Sequence, residues 1–244
     1  MVNKVRIDGR AYDEIRNTTI QRNYLKYPEG SVLITQGNTK VIVTASVLDS
    51  VPRFLSDTGT GWITAEYSML PRSTQVRNAR ERDRVKGRTF EIQRLIGRCM
   101  RAAFNYEHIG ERTIRVDCDV IQADGGTRCA SITGAFVAVF DAISYLYDEK
   151  LIYKFPNYHV TSAISLGIKD GGVFLDLDYN EDSNVDVDIN LVMSEVNDDL
   201  EYIEVQGTAE GATFNRKKFD DILEIGEKGI KDLIKIQKKE LNLT

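Results

Sequence analysis

The chain of 244 residues contains four prolines, three cysteines, two histidines and one tryptophan, and each scarcity removes a class of explanation. Few prolines, no Ser/Gly tract and no low-complexity stretch leave no linker at which the chain would divide, so residues 1–244 are expected to form a single domain. Cys99, Cys118 and Cys129 are odd in number, widely spaced and without a C-x-x-C pair, which argues against a disulfide framework and a thiolate metal site. They read as reduced core residues. His108 and His159 lie far apart, outside any ligand-like cluster, so structural or surface roles outrank catalysis. No apolar run reaches the roughly 18–20 residues that a membrane crossing needs, since even Ala135 to Phe140 is closed by Asp141. The first eight residues, Met1 to Asp8, show no apolar h-region. A cytoplasmic protein with no membrane partner is the expectation. There is no Gly-Lys dipeptide and hence no Walker A loop, and no G-x-G-x-x-G, H-E-x-x-H or G-x-S-x-G.

What is present is an ordinary globular composition, 42% hydrophobic and 28% charged, with patterns of both periods. Residues 31–47 hold two β-rich runs around Gly37-Asn38, a hairpin signal. Ile114, Val116, Cys118 and Val120 alternate with Thr113, Arg115, Asp117 and Asp119, as in a half-buried strand. Further strands are expected near 62–68, 160–168, 173–178, 185–193 and 201–206. From Thr89, the residues Ile92, Leu95, Ile96, Cys99, Met100 and Ala103 form a helical stripe. From Ser131, the residues Ile132, Ala135, Phe136, Val139, Phe140 and Ile143 repeat that spacing with so thin a polar face that the helix should lie in the core. A third helix is expected from about Arg216 to Lys239. Antiparallel strands with few but long helices make an α+β pattern.

Three stretches could carry chemistry. Between Arg72 and Arg101 there are ten basic residues, nine of them arginine, against Glu81, Asp83 and Glu91, in a chain whose net charge is −5. Arginine's planar fork suits phosphate, so a nucleic-acid backbone is the natural partner, while a solvated face or subunit interface explains the run almost as well. Asp124-Gly125-Gly126-Thr127-Arg128 lies between a strand and the core helix, where free amides at a helix start favour an anion and Thr127, Arg128 and Ser131 could add donors. A plain strand-to-helix turn with Thr127 as N-cap is the commoner outcome for such a sequence. Gly87-Arg88-Thr89 opens the first amphipathic helix in the same manner, so two helix starts could hold one phosphate. In the acidic stretch 176–190, Asp186, Asp188 and Asn190 would share one strand face, from which carboxylates could bind Mg²⁺ or supply a general acid. An acidic loop before an ordinary strand is the bland alternative.

These features follow Arg6-x-Asp8-Gly9-Arg10 and occur alongside Val51-Pro52-Arg53-Phe54, Gly61-Trp62-x-Thr64-Ala65-Glu66-Tyr67-Ser68-Met69-Leu70-Pro71-Arg72, Gly87-Arg88-Thr89-x-Glu91, Gln122-Ala123-Asp124-Gly125-Gly126-Thr127-Arg128, Glu181-Asp182-Ser183 and Val205-Gln206-Gly207-Thr208-Ala209-Glu210-Gly211. In that order and over nearly the whole chain they resemble the ribonuclease PH family of phosphate-dependent 3′-exoribonucleases. The resemblance implies a single β-α-β domain like the second domain of ribosomal protein S5, assembled as a homo-hexamer, a trimer of dimers. It implies phosphorolysis of precursor tRNA 3′ ends with inorganic phosphate as co-substrate, Mg²⁺ as cofactor and nucleoside diphosphates as products. By the same resemblance Arg88, Gly126, Thr127, Arg128 and Ser131 hold phosphate, Asp182 and Asp188 are catalytic or metal-binding, and Arg72, Arg77 and Arg80 hold tRNA. The loop between Arg80 and Arg88 is shorter than that family's, and the appended RNA-binding domains of polynucleotide phosphorylase are missing. An inactive RNA-binding ring subunit is the competing reading, disfavoured by the presence of both the arginines and the acids. A two-metal hydrolase is disfavoured by the small number of acids.

Overall fold

The structure, a computed structural model, describes residues 6–81 and 86–243. Arg82, Asp83 and Arg84 of the basic run, and with them most of the shortened loop, lie outside the described residues. The 31–47 hairpin forms as expected, with β2 (Gly30–Gln36) and β3 (Thr39–Leu48) turning at Gly37-Asn38. A strand the sequence reading missed, β1 (Thr18–Arg22), extends that hairpin. On its other side β3 pairs with the alternating strand β5 (Thr113–Gln122), whose Ile114, Val116, Cys118 and Val120 are all buried. The edge strand β4 (Trp62–Met69) runs parallel to β5, so the chain must cross over between them, and α1 (Gly87–Ala103) makes that crossover. A second, antiparallel sheet has the order β7 (Gly172–Leu175), β6 (Thr161–Lys169), β8 (Val187–Val196), β9 (Asp199–Ala209).

The helix α2 (Thr127–Asp148) packs against β2, β3 and β6, between the two sheets. It is long and apolar enough to cross a bilayer, with a mean hydropathy of 1.6 over its best window, but 83% of that window is buried within the fold. Phe136 stacks on Phe104 at 4.9 Å, and both are fully enclosed. Truncating either to alanine would cost about 3–5 kcal/mol. The long C-terminal helix α4 (Arg216–Leu241) covers the far side of β6 with Ile222, Ile230, Leu233 and Ile234. One cluster of buried residues runs through both sheets and the helices between and around them.

Departures from the sequence reading have local causes. The strand expected over 173–178 ends at Leu175, because Asp176 takes a positive φ of 53° and turns the chain. A short helix, α3 (Tyr179–Asp182), follows, closed by a capping box between Asp178 and Glu181. The next strand starts at Val187 instead of Val185, leaving Asp186 ahead of the ladder with its N–H donated to Ile168. Asn190 shares the strand with Asp188 but is buried and accepts from the Cys129 thiol, so the expected row of three polar side chains is reduced at the site to Asp188. All three cysteines are free and buried, and burial pushes their thiols up, that of Cys99 to about 12, which keeps them unreactive at neutral pH.

Candidate active site

The loop from β5 to α2 is built for close approach. Gly125 and Gly126 have φ of 74° and 64°, and a side chain on Gly125 would run into the Leu177 carbonyl. Gly126, not Thr127, is the N-cap of α2, and no side chain caps the first turn. At the start of α1 the N-cap residue Lys86 makes no side-chain cap, but the Glu81 carboxylate accepts from the Lys86 amide at 3.1 Å and from the Thr89 hydroxyl at 3.1 Å. By contrast, α3 and α4 are capped by Asp178 and Asn215. The start of α2 therefore presents free amides and a positive helix end where Arg128 sits, while the start of α1, where Arg88 sits, already has Glu81 on its N-cap amide.

Side chains complete this anion-ready side. Arg88 is exposed and makes no ion pair among the described residues. Arg128 is half-buried and donates to Gln206 on β9 at 2.9 Å. The hydroxyl of Tyr67, from the buried face of β4, is 2.8 Å from Thr127 Oγ1, and burial raises that phenol despite the nearby Arg88 and Arg128 charges. Ser131 is placed differently from the sequence expectation: it is fully buried, and its Oγ donates to the Thr127 carbonyl at 2.8 Å. It braces the first turn of α2 from behind, whereas Thr127 and Arg128 face the opening.

The acids arrive from the second sheet. Asp182 is the last residue of α3 and Asp188 the second of β8. Partial burial raises both carboxyls; the Asp182 charge raises Asp188 further, and Arg128 and Arg88 pull both down. These mutual effects bring Arg88, Arg128, Asp182 and Asp188 into one electrostatic neighbourhood, although the four span 100 residues of sequence from Arg88 to Asp188. No shared face or period in the sequence links the two pairs.

A buried scaffold ties the two sides together. Asp176 accepts from the Arg16 guanidinium at 2.7 Å, and Arg16 also donates to the carbonyls of Asp124 and Gly125. The Asp124 carboxylate in turn accepts from Asn38 at 3.1 Å and from the first amide of α3 at 3.3 Å. From the opposite side Arg6 grips Glu181 through two nitrogens and donates to the carbonyls of Leu175 and Asp176. The glycine turn and the helix carrying Asp182 are thus fixed to the same buried charges.

Arg72, Arg77 and Arg80 lie exposed in the loop from β4 to α1, with no ion pair among the described residues. The start of that loop is pinned, since Ser73 is buried and its carbonyl accepts from Ala123 next to the glycine turn. The basic loop therefore departs from the rim of the site.

Two arginines in first helical turns act electrostatically on a pair of carboxyls, on two sheets packed about one helix, an arrangement of the class that can handle a phosphate-like anion. The chain belongs to the 3′ exoribonuclease family: the model of that family's domain 1 matches residues 14–143 and that of domain 2 residues 159–229. Ribonuclease PH of Bacillus pumilus is 54% identical over 237 residues, covering 96% of this chain and 97% of the relative. Ribonuclease PH of Corynebacterium kroppenstedtii is 52% identical over 240 residues, covering 98% and 93%. Among solved structures, rice Rrp46 superimposes with a TM-score of 0.77 at 18% identity, over 97% of this chain and all of that one. A chain of the Archaeoglobus fulgidus exosome with RNA bound to the active site gives 0.78 at 23%, over 94% and 91%. These two agree in fold.

Sequence reasoning missed Arg16, Tyr67 and Gln206 as members of the site. Tyr67 and Gln206 do lie inside the motifs singled out above, which was the available signal. Arg16 lies in none of them.

Proposed function

We infer that this chain is a phosphorolytic 3′→5′ exoribonuclease of the cytoplasm that trims the 3′ ends of precursor tRNA, releasing nucleoside diphosphates in a reversible nucleotidyl transfer. The observation that carries this reading is that Arg88 and Arg128, each in the first turn of its helix, both act electrostatically on the carboxyls of Asp182 and Asp188, with the start of α2 left uncapped. Phosphoryl transfer needs positioning and charge neutralisation more than covalent chemistry. The free amides at Gly126, Thr127 and Arg128, the Thr127 hydroxyl steadied by Tyr67, and the two guanidiniums hold inorganic phosphate with an oxygen aimed at the terminal phosphodiester. As that oxygen bonds to phosphorus, the bond from phosphorus to the 3′-oxygen of the preceding nucleotide breaks. The departing oxygen then takes a proton or has its charge neutralised. Burial raises the carboxyls of Asp182 and Asp188 above the ordinary carboxylate range, so either keeps a proton to higher pH than an exposed acid and is the better placed to give it to that oxygen.

The same two carboxyls fit Mg²⁺, which is commonly held by one or two carboxylates together with substrate phosphates. Among the described residues no group of three or more His, Cys, Asp or Glu could hold a metal alone, so substrate oxygens would complete the shell. When bound, the ion supplies charge neutralisation at the phosphoryl oxygens. Arg72, Arg77 and Arg80 track the RNA backbone away from the site. Homo-hexamer formation, a trimer of dimers, is part of the same reading. It is supported by large side chains left open to solvent, among them Phe54 at 67% and Tyr153 at 101% exposure, and sedimentation of the purified protein tests it.

The decisive experiment incubates the protein with a 3′-extended tRNA and Mg²⁺, with and without inorganic phosphate, and identifies the released nucleotides by chromatography. Nucleoside diphosphates only in the presence of phosphate are expected, and Arg128→Ala should lower their rate by about 10²–10³-fold. Monophosphates formed without phosphate would make the protein a hydrolase. Binding without any product would make it a scaffold.

A further inference from the structure

Arg128 does not reach the site unaided. Its Nη1 donates to Gln206 Oε1 at 2.9 Å, and Gln206 Nε2 donates to Glu91 Oε1 at 2.6 Å. The order of donors in this chain is forced. A guanidinium only donates and a carboxylate only accepts, so the amide between them must turn its oxygen to Arg128 and its nitrogen to Glu91. An amide in the reverse orientation would face donor to donor and acceptor to acceptor.

The three residues come from three elements. Glu91 lies one turn after Arg88 on α1, Arg128 opens α2, and Gln206 is on the edge strand β9, where it pairs in register with Asn190. Two residues further along the same ladder Thr208 is opposite Asp188. Gln206 thus connects the helix start bearing Arg88, the helix start bearing Arg128 and the strand pair bearing Asp188.

We propose that Gln206, oriented by Glu91, is a positioning residue that holds the Arg128 guanidinium toward the attacking phosphate while leaving its charge undiminished. This rests on the reading of Arg128 as a phosphate ligand. The neutral amide is the point of the device. It occupies one of the five N–H donors of the guanidinium and leaves the others for an anion. A carboxylate at the same position would bind the arginine more firmly and cancel the charge that phosphate needs.

The test measures phosphate affinity directly by calorimetry, and KM for phosphate and for RNA separately, in Gln206→Leu, Gln206→Glu, Gln206→Glu/Glu91→Gln and Arg128→Ala. Loss of one hydrogen bond predicts that Gln206→Leu weakens phosphate by about 3- to 10-fold, in both Kd and KM, with the RNA KM unmoved. Gln206→Glu should be worse, since it sets two carboxylates against each other. The double variant removes the repulsion at position 91 but keeps a carboxylate on Arg128, so its phosphate affinity should stay below that of the wild type. Unchanged phosphate affinity in Gln206→Leu, beside lost affinity in Arg128→Ala, would overturn the proposal. So would equal losses for phosphate and RNA, or a double variant that binds phosphate as tightly as the wild type. If Arg128→Ala itself binds phosphate normally, the reading of Arg128 fails first, and that arm shows it independently.

Discussion

The two sides of the site are made in opposite ways. On the side of α1 and α2 the start of α2 has no side-chain cap, and Arg88 is without an ion pair among the described residues. On the side of α3 the helix has a capping box, its Glu181 is clasped by Arg6, and the adjacent turn at Asp176 is held by Arg16. A helix start that caps itself has nothing left for a ligand, and one left open is completed when an anion arrives. In the proposed reaction the carboxyls need the reverse. A group that must accept or release a proton at a fixed place is useful only on a rigid support, and α3 has four residues and no helical stability of its own. Dense hydrogen bonding around it replaces length.

The Arg16–Asp176 pair is the joint between the two sides, and breaking it should have the largest effect. Asparagine tolerates the positive φ of Asp176, so Asp176→Asn removes the charge and keeps the backbone. An uncompensated buried arginine should cost about 3–5 kcal/mol, a fall in Tm of about 10 °C for a domain of this size. Activity should fall beyond what the lost folded fraction explains, because the glycine turn and α3 lose their common anchor. A loss below about 1 kcal/mol with normal kcat/KM would show that the two sides are positioned independently.

How far the sequence carried this depends on the range of the interaction. The hairpin, the alternating strand β5 and the three long helices are local in origin, set by turn chemistry and by periods of 2 and 3.6, and they formed where expected. β1 escaped because five residues on an edge leave too short a pattern. The start of β8 was placed two residues early, because the Val/Asp alternation continues through Val185 and Asp186 while the backbone is still leaving the turn after α3. Arg16 and Asp176 stand 160 positions apart and Arg128 and Gln206 stand 78 apart. No periodicity encodes such pairs, and they are the contacts that aim the site. Ser131 shows the converse error: at the right spacing to join an anion site, it is turned inward by its position on α2.

A middle-sized effect separates holding the chain of RNA from holding phosphate. Replacing Arg72, Arg77 and Arg80 together by alanine should weaken RNA binding and reduce the slope of log K against log salt by about 2, the loss of some three contacts to a single strand. Phosphate affinity should not change, since among the described residues the loop bearing them adjoins the glycine turn through the Ser73 carbonyl and not through the three arginines. An unaltered salt slope in a filter-binding series would return the three arginines to a structural or interface role.

The smallest effect tests whether a raised carboxyl is enough to mark a site. Asp117, on the open face of the first sheet, is also raised by burial and by Glu66 and Asp119, with Arg115 opposing. It differs from Asp182 and Asp188 in its partners: the charges that act on it are Glu66, Asp119 and Arg115, where Arg88 and Arg128 act on the other two. A carboxyl raised on folding binds its proton more tightly in the folded state, so its ionisation works against folding. The penalty is absent below the ordinary value of 3.8, grows as pH rises from there to the folded value, and then stays constant. Asp117→Asn removes it. Because the carboxyl is only half-buried and solvent screens it, the variant should gain no more than about 0.5 kcal/mol at neutral pH, or about 1–2 °C in Tm. The gain should vanish below pH 3.8, and phosphorolysis should be unaffected. A loss of activity in Asp117→Asn would mean that burial alone selects functional carboxyls here, and that the arginines opposite Asp182 and Asp188 are not what distinguishes them.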